Sequence, residues 1–132
     1  LASTKAIEPL IQIAETDPSI WVRQNAIEAL GRIHDPRAVQ TLKDIKGQSN
    51  QKLSIYACLA LHHQGEDKMK LINFLVGMIL SIEEKYAGLL AWALVELSDN
   101  TQNQTLIDAI DNCKNYRIQN IFSDVIHGIR TK

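Results

Sequence analysis

The segment AIEAL at Ala26 to Leu30 returns as ACLAL at Ala57 to Leu61, an offset of 31 residues, and KAIEPLIQI from Lys5 lines up with RAVQTLKDI from Arg37 at an offset of 32 residues. Self-similarity at a fixed spacing constrains a fold strongly, because each copy is one supersecondary unit whose apolar face is covered only by its neighbours. A third copy, LLAWALVELSD from Leu89, sets Ala93-Leu94 over Ala29-Leu30 and Asp99 over Asp35, and a weaker fourth from Asn115 keeps mainly its Arg and its apolar spacing. Apolar residues recur at helical spacing nearly throughout, with no run of strict alternation to suggest a strand. The expected class is all-α.

Punctuation divides the chain into about eight segments: Asp17-Pro18, Asp35-Pro36, the stretch from Gly47 to Asn50, Gly65-Glu66-Asp67, Ser81, Ser98-Asp99-Asn100 and Asn112 to Asn115. Gaps this short lay consecutive helices antiparallel, side by side. Asp17 and Asp35 read as helix starts, since Asp accepts from first-turn amides and Pro at the first helical position has no amide to leave unpaired. Gly65 reads as the left-handed residue that closes the segment Lys52 to Gln64. The expected organisation is one domain over 1–132, with approximate two-helix repeats at 3–34, 35–65, 66–98 and 99–130. Ala26, Ala29, Ala57, Ala60 and Ala93 allow close helix approach, and Leu30, Ile33, Leu61, Leu94 and Leu97 fill the layer between.

Composition bounds the function classes. With 14 basic and 15 acidic residues the formal net charge is -1, so no global field favours a phosphate backbone or an anionic membrane. The longest apolar run, Ala87 to Val95, is far shorter than the roughly 18 residues of a membrane span. Cys58 and Cys113 lie far apart without metal-ligand spacing, and suit buried thiols in a reducing compartment better than a disulfide. The expected location is the cytoplasm. Leu1-Ala2-Ser3 shows no signal-peptide pattern and no initiating Met, as in an excised or processed piece of a longer repeat array.

The residues DPRAVQTL, Asp35 to Leu42, and VRQNAIEALGRIHD, Val22 to Asp35, resemble the short HEAT-like repeats of the phycobilisome lyase type. The likeness is strongest over the first one and a half repeats and fades towards the C-terminus. It implies a right-handed α-solenoid, an α-α superhelix of about four repeats. It also implies an Asp-Arg ladder between repeats, for which Asp17 with Arg23 and Asp111 with Arg117 have the spacing; Ser49 with Ser54 and Ser81 with Ala87 depart from it. The tetratricopeptide and ankyrin signatures are missing.

Catalytic and metal-binding patterns are weak. Adjacent His62 and His63 point about 100° apart on a helix, whereas two ligands on one face need i, i+3 or i, i+4 spacing. Cys58 has His62 one turn away, but no third group orients a base. Glu83-Glu84 is explained by a helix first turn, and GMILS from Gly77 lacks the glycines and the Lys of a phosphate loop. No cofactor or metal is expected.

The informative row lies on the second helices, which line the concave face if the HEAT resemblance holds. Trp21, Gln24, Asn25, Glu28 and Arg32 form the outward stripe of the first. Carried through the repeats, Glu28 becomes Leu59, Trp92 and Phe122, with Tyr56, Lys52, His63, Leu89, Glu96 and Gln119 alongside. Apolar anchors rimmed by polar groups suit a protein-binding groove, so Trp21, Glu28, Arg32, Tyr56, Leu59, His63, Trp92, Glu96 and Phe122 are the candidate partner-binding residues. A register slip in the later repeats would instead put Trp92 and Phe122 in the core. The expected function is a non-catalytic scaffold binding a protein or peptide. The alternative implied by the resemblance is a bilin lyase-like or phycobilisome-associated component, with Arg23, Arg32 and Lys52 as candidates to hold propionates. A nucleic-acid-binding HEAT fold is disfavoured by charge and by Glu28 and Glu96.

Overall fold

Side chains that accept from first-turn amides decide where several helices begin. The computed structural model describes residues 6–98 and 103–130, the side chains of 103, 105 and 126–130 apart. Among the described residues there are eight helices and no strand: α1 Ile7–Thr16, α2 Ile20–Leu30, α3 Pro36–Lys46, α4 Gln51–His63, α5 Lys68–Met78, α6 Glu84–Leu97, α7 Asn103–Asp111 and α8 Tyr116–Arg130. The breaks fall at the punctuation read from the sequence. Leu1 to Ser3, Lys5, Asp99 and Asn100 lie outside the described residues.

Asp35 caps α3, accepting from the Arg37 amide at 2.8 Å with Pro36 in the first turn. The Arg37 guanidinium also hydrogen-bonds this carboxylate, which holds its pKa below the ordinary value, and reaches Glu8 of α1 at 2.8 Å. Asn50 accepts from the Leu53 amide at 3.0 Å to start α4, and Asn115 accepts from Arg117 and Ile118 at 3.0 and 3.3 Å to start α8. Each such cap contributes about 1 kcal/mol. Past α4, Gly65 has φ 88°, while its amide reaches the His62 carbonyl and that of Glu66 reaches the Leu61 carbonyl, both at 3.0 Å. This pair of reversed bonds is the usual closure around a left-handed glycine.

Asp17-Pro18 departs from expectation. Asp17 ends α1, and its carboxylate accepts from the Ser19 amide at 2.8 Å; the cap of α2 is Ser19, whose hydroxyl accepts from Val22 at 3.3 Å. An Asx turn placed two residues early therefore hands the capping role to the serine.

The chain forms two compact units, Leu1–Asp67 and Lys68–Lys132. In the first, α1 packs on α2 and α3 on α4, while α1 meets α3 and α2 meets α4, so first helices make one layer and second helices the other. In the second unit α5 packs on α6, α7 on α8, and α6 on α8. Of the residues read as close-packing or layer-filling, all are buried except Ala29, which is half-buried.

The α2–α4 approach is tight at Gly31. A Cβ there would lie 2.9 Å from the Ala60 Cβ and 3.0 Å from its Cα. Next to it, Gln64 Nε2 donates to the Leu30 carbonyl at 2.7 Å and to that of Ile33, giving a second partner to carbonyls that already accept from the Ile33 and Asp35 amides.

The expected Asp-Arg ladder is replaced by another device. Arg23 Nε donates to the Ala14 carbonyl at 2.9 Å, Ser54 Oγ to the Lys46 carbonyl at 2.6 Å, and Gln119 Nε2 to the Ile110 carbonyl at 3.1 Å. Each donor is the fourth residue of a second helix, and each acceptor lies in the last turn or so of the first helix of the same repeat. The carboxylate of Asp17 serves Ser19 instead of Arg23, and Arg117 pairs with Glu84 at 3.7 Å. The last carbonyls of a helix have no amide of their own helix to pair with, and the Ala14 carbonyl takes the Arg23 donor.

The glycine geometry predicts opposite signs for one chemical change. Gly31→Ala should destabilise the protein by about 1–3 kcal/mol through overpacking against Ala60. Gly88→Ala, in α6 with nothing within 4 Å of the added methyl, should stabilise it by about 0.5–1 kcal/mol. Urea unfolding of both variants measures this, and stabilisation by Gly31→Ala would contradict the close approach.

Candidate functional site

In the first unit the candidate residues come from two adjacent helices. Trp21 and Glu28 are exposed along α2, with Trp21 64% accessible, and Arg32 is exposed in the turn that follows it; on α4, Tyr56 and Leu59 are half-buried and His63 is exposed. The spacing of seven residues keeps 21 and 28 on one face of α2, while the α2–α4 contact brings the two helices into one layer.

Tyr56 is the meeting point of the rows. Burial pushes its phenol pKa up, the Glu28 carboxylate adds to that, and a hydrogen bond from the Gln24 amide opposes them. Gln24 was expected to face outward. It is instead 7% exposed, with its Oε1 buried and without a hydrogen-bond partner. Glu28 and Arg32 stand in solvent with no ion pair among the described residues.

In the second unit Trp92 is 48% accessible and Glu96 is exposed, both on α6. Phe122 is corrected: it is 1% accessible and belongs to the core of α8, with Ile118 one turn before it. The register explains why. Counting from the helix starts at Glu84 and Tyr116, Phe122 matches buried Leu90, and the counterpart of Trp92 is exposed Asp124. The row of second helices therefore reads Glu28, Leu59, Trp92, Asp124. The caps Ser19, Asn50, Glu83 and Asn115 carry the signal that would have fixed this register.

The nucleophile and metal candidates resolve into structure. Cys58 is fully buried, and desolvation pushes its thiol pKa up to about 12, against a smaller opposing effect of Lys46. Such a thiol is a packing group, since reactivity requires thiolate. Cys58 and Cys113 are both free thiols. The His62 and His63 rings lie 6.1 Å apart, tilted by 47°, and the described residues contain no group of three or more His, Cys, Asp or Glu able to hold a metal. Glu83 meets Lys85 at 3.4 Å and Glu84 meets Arg117 at 3.7 Å, as an exposed first turn. Among the described residues no helix is long and apolar enough to cross a membrane. The α5–α6 and α7–α8 turns, to which the sequence assigns no role, together line an open cleft of about 860 Å³ in the second unit.

Two measurements check these placements. Phe122→Ala should cost about 3–5 kcal/mol as a core truncation, whereas Trp92→Ala, at a side chain 48% accessible, should cost no more than about half as much; equal losses in urea would reject the revised register. For Cys58, the unfolded thiol releases its proton from pH 9.0 while the folded one holds it to about 12, so the stability it confers is present below 9.0 and declines above it. Cys58→Ala should remove that part of the alkaline slope.

Residues 1–61 match the family model for HEAT repeats, a stretch that contains α1 to α3 and most of α4. HEAT repeats commonly mediate protein–protein interaction and are generally non-enzymatic. No curated protein and no solved structure matches the chain. The similarity is to HEAT repeats at large and does not single out the phycobilisome lyase type.

Proposed function

We propose that the chain is a non-catalytic binding module that takes a protein or peptide on exposed faces of the second helices within each unit. The observation that carries this reading is the exposure of Trp21 and Trp92, at 64% and 48%. Trp is highly buried on average, and at binding surfaces it is a favoured anchor. In the first unit Trp21 shares its layer with Glu28, Arg32, Tyr56, Leu59 and His63, and in the second Trp92 shares α6 with Glu96. These mix apolar contact area with uncompensated charge, the composition of a recognition surface with a polar rim. Phe122 has no part in it. Buried, unpaired Cys58 and Cys113 suit a reducing compartment such as the cytoplasm.

The bilin-handling alternative rests on resemblance alone. Arg23, one of the three groups that would hold propionates, already donates its Nε to the Ala14 carbonyl. Nucleic-acid binding meets Glu28, exposed on α2, and Glu96, exposed on α6, which repel a phosphate backbone.

Affinity capture from native lysate, followed by mass spectrometry, tests the proposal with Trp21→Ala and Trp92→Ala as controls. The expected result is a protein retained by the native chain and lost with at least one tryptophan variant of unchanged melting temperature. Equal retention by both variants, or no specific retention, would sink it.

A further inference from the structure

We infer that the cleft between the α5–α6 and α7–α8 turns is a second docking site, one that takes an apolar side chain of a partner peptide flanked by carboxylates. It goes beyond the second-helix face and lies within one unit. Ile79, Ile82, Cys113 and Ile118 form a buried apolar floor, while Leu80 and Tyr116 stand at the mouth, 76% and 80% accessible. These are the two most exposed large apolar side chains among the described residues. A cleft of about 860 Å³ lies within the roughly 300–1,000 Å³ range of ligand sites.

The walls are preorganised. Asn115 holds the first amides of α8, the Cys113 thiol donates to the Asn115 carbonyl at 3.8 Å, and the amides of Ile79 and Ser81 close the opposite turn on Val76 and Met78. Less ordering cost is then left for the binding event.

Charge selects the occupant. Lys114 is the one charged residue lining the cleft, and it is exposed with no ion pair among the described residues. The neighbouring carboxylates Glu83 and Glu84 are already met by Lys85 and Arg117. A carboxylate beside the inserted side chain pairs with Lys114, whereas a lysine there meets a like charge.

The test uses the whole chain and a fluorescein-labelled peptide with a Leu-Leu pair flanked on each side by two glutamates, followed by anisotropy. Binding is expected to weaken about tenfold, equivalent to about 1.4 kcal/mol, with Lys114→Glu and with the double change Leu80→Ala, Tyr116→Ala, and to weaken with added salt. Trp92→Ala should leave it unchanged, which separates this site from the second-helix face. Circular dichroism melting confirms that the exposed substitutions leave the fold intact. Equal binding of the peptide with lysines for glutamates, loss of binding with Trp92→Ala, or no binding at millimolar peptide would overturn the inference. So would concentration-dependent self-association abolished by Leu80→Asp, which would assign the cleft to a second copy of the chain.

Discussion

The approach of α2 to α4 at Gly31 and Ala60 is the constraint on which the first unit depends. With no Cβ on Gly31, the end of α2 comes within van der Waals contact of the next repeat, and any larger residue would wedge the layer open. Gln64 of the neighbouring repeat then adds a second hydrogen bond to the carbonyls of Leu30 and Ile33, each of which also accepts a backbone amide. Steric room and hydrogen bonding act at the same place. Because the helices are fixed there, the rows that contain Glu28 and Tyr56 lie close enough for the carboxylate to influence the phenol.

A second regularity holds helix to helix within repeats. Arg23, Ser54 and Gln119 are chemically unlike, yet each reaches back from the fourth position of a second helix to a carbonyl near the end of its first helix. What is preserved is a donor of suitable reach, not a charge. The fourth position of α6 is Ala87, fully buried, so that repeat uses the position for packing. Sequence identity between repeats underestimates their structural equivalence for this reason.

Local chemistry was legible and long-range choice was not. Asp35-Pro36 and Gly65 could be placed from sequence because a cap or a left-handed closure is decided within a few residues. Most of the alanine and leucine layer followed from helical periodicity. Asp17 misled because Ser19, a competing cap, sits nearer the helix. Arg23 misled because its acceptor is a backbone carbonyl, which every residue possesses and no pattern marks. Phe122 was displaced by a register counted across the weakest repeat, where the stretch from Asn112 to Asn115 offers several possible starts. Gln24 turned inward although its spacing matched the outward stripe, since Tyr56 offered its amide a partner. At the turn cleft, Leu80 and Tyr116 sit beside the punctuation at Ser81 and Asn112 to Asn115, and no sequence pattern marks them.

Each compact unit contains one fully or nearly buried thiol, Cys58 in the first and Cys113 in the second. Cys58 reacts only when uncovered, so chemical trapping at its sulfur counts the excursions that uncover it; at Cys113, 7% accessible on the floor of the turn cleft, such excursions add to a folded-state rate. The two cysteines thus act as clocks for the transient opening of their own units. Whether a repeat array melts as one body or unit by unit becomes a comparison of two rates within a single chain.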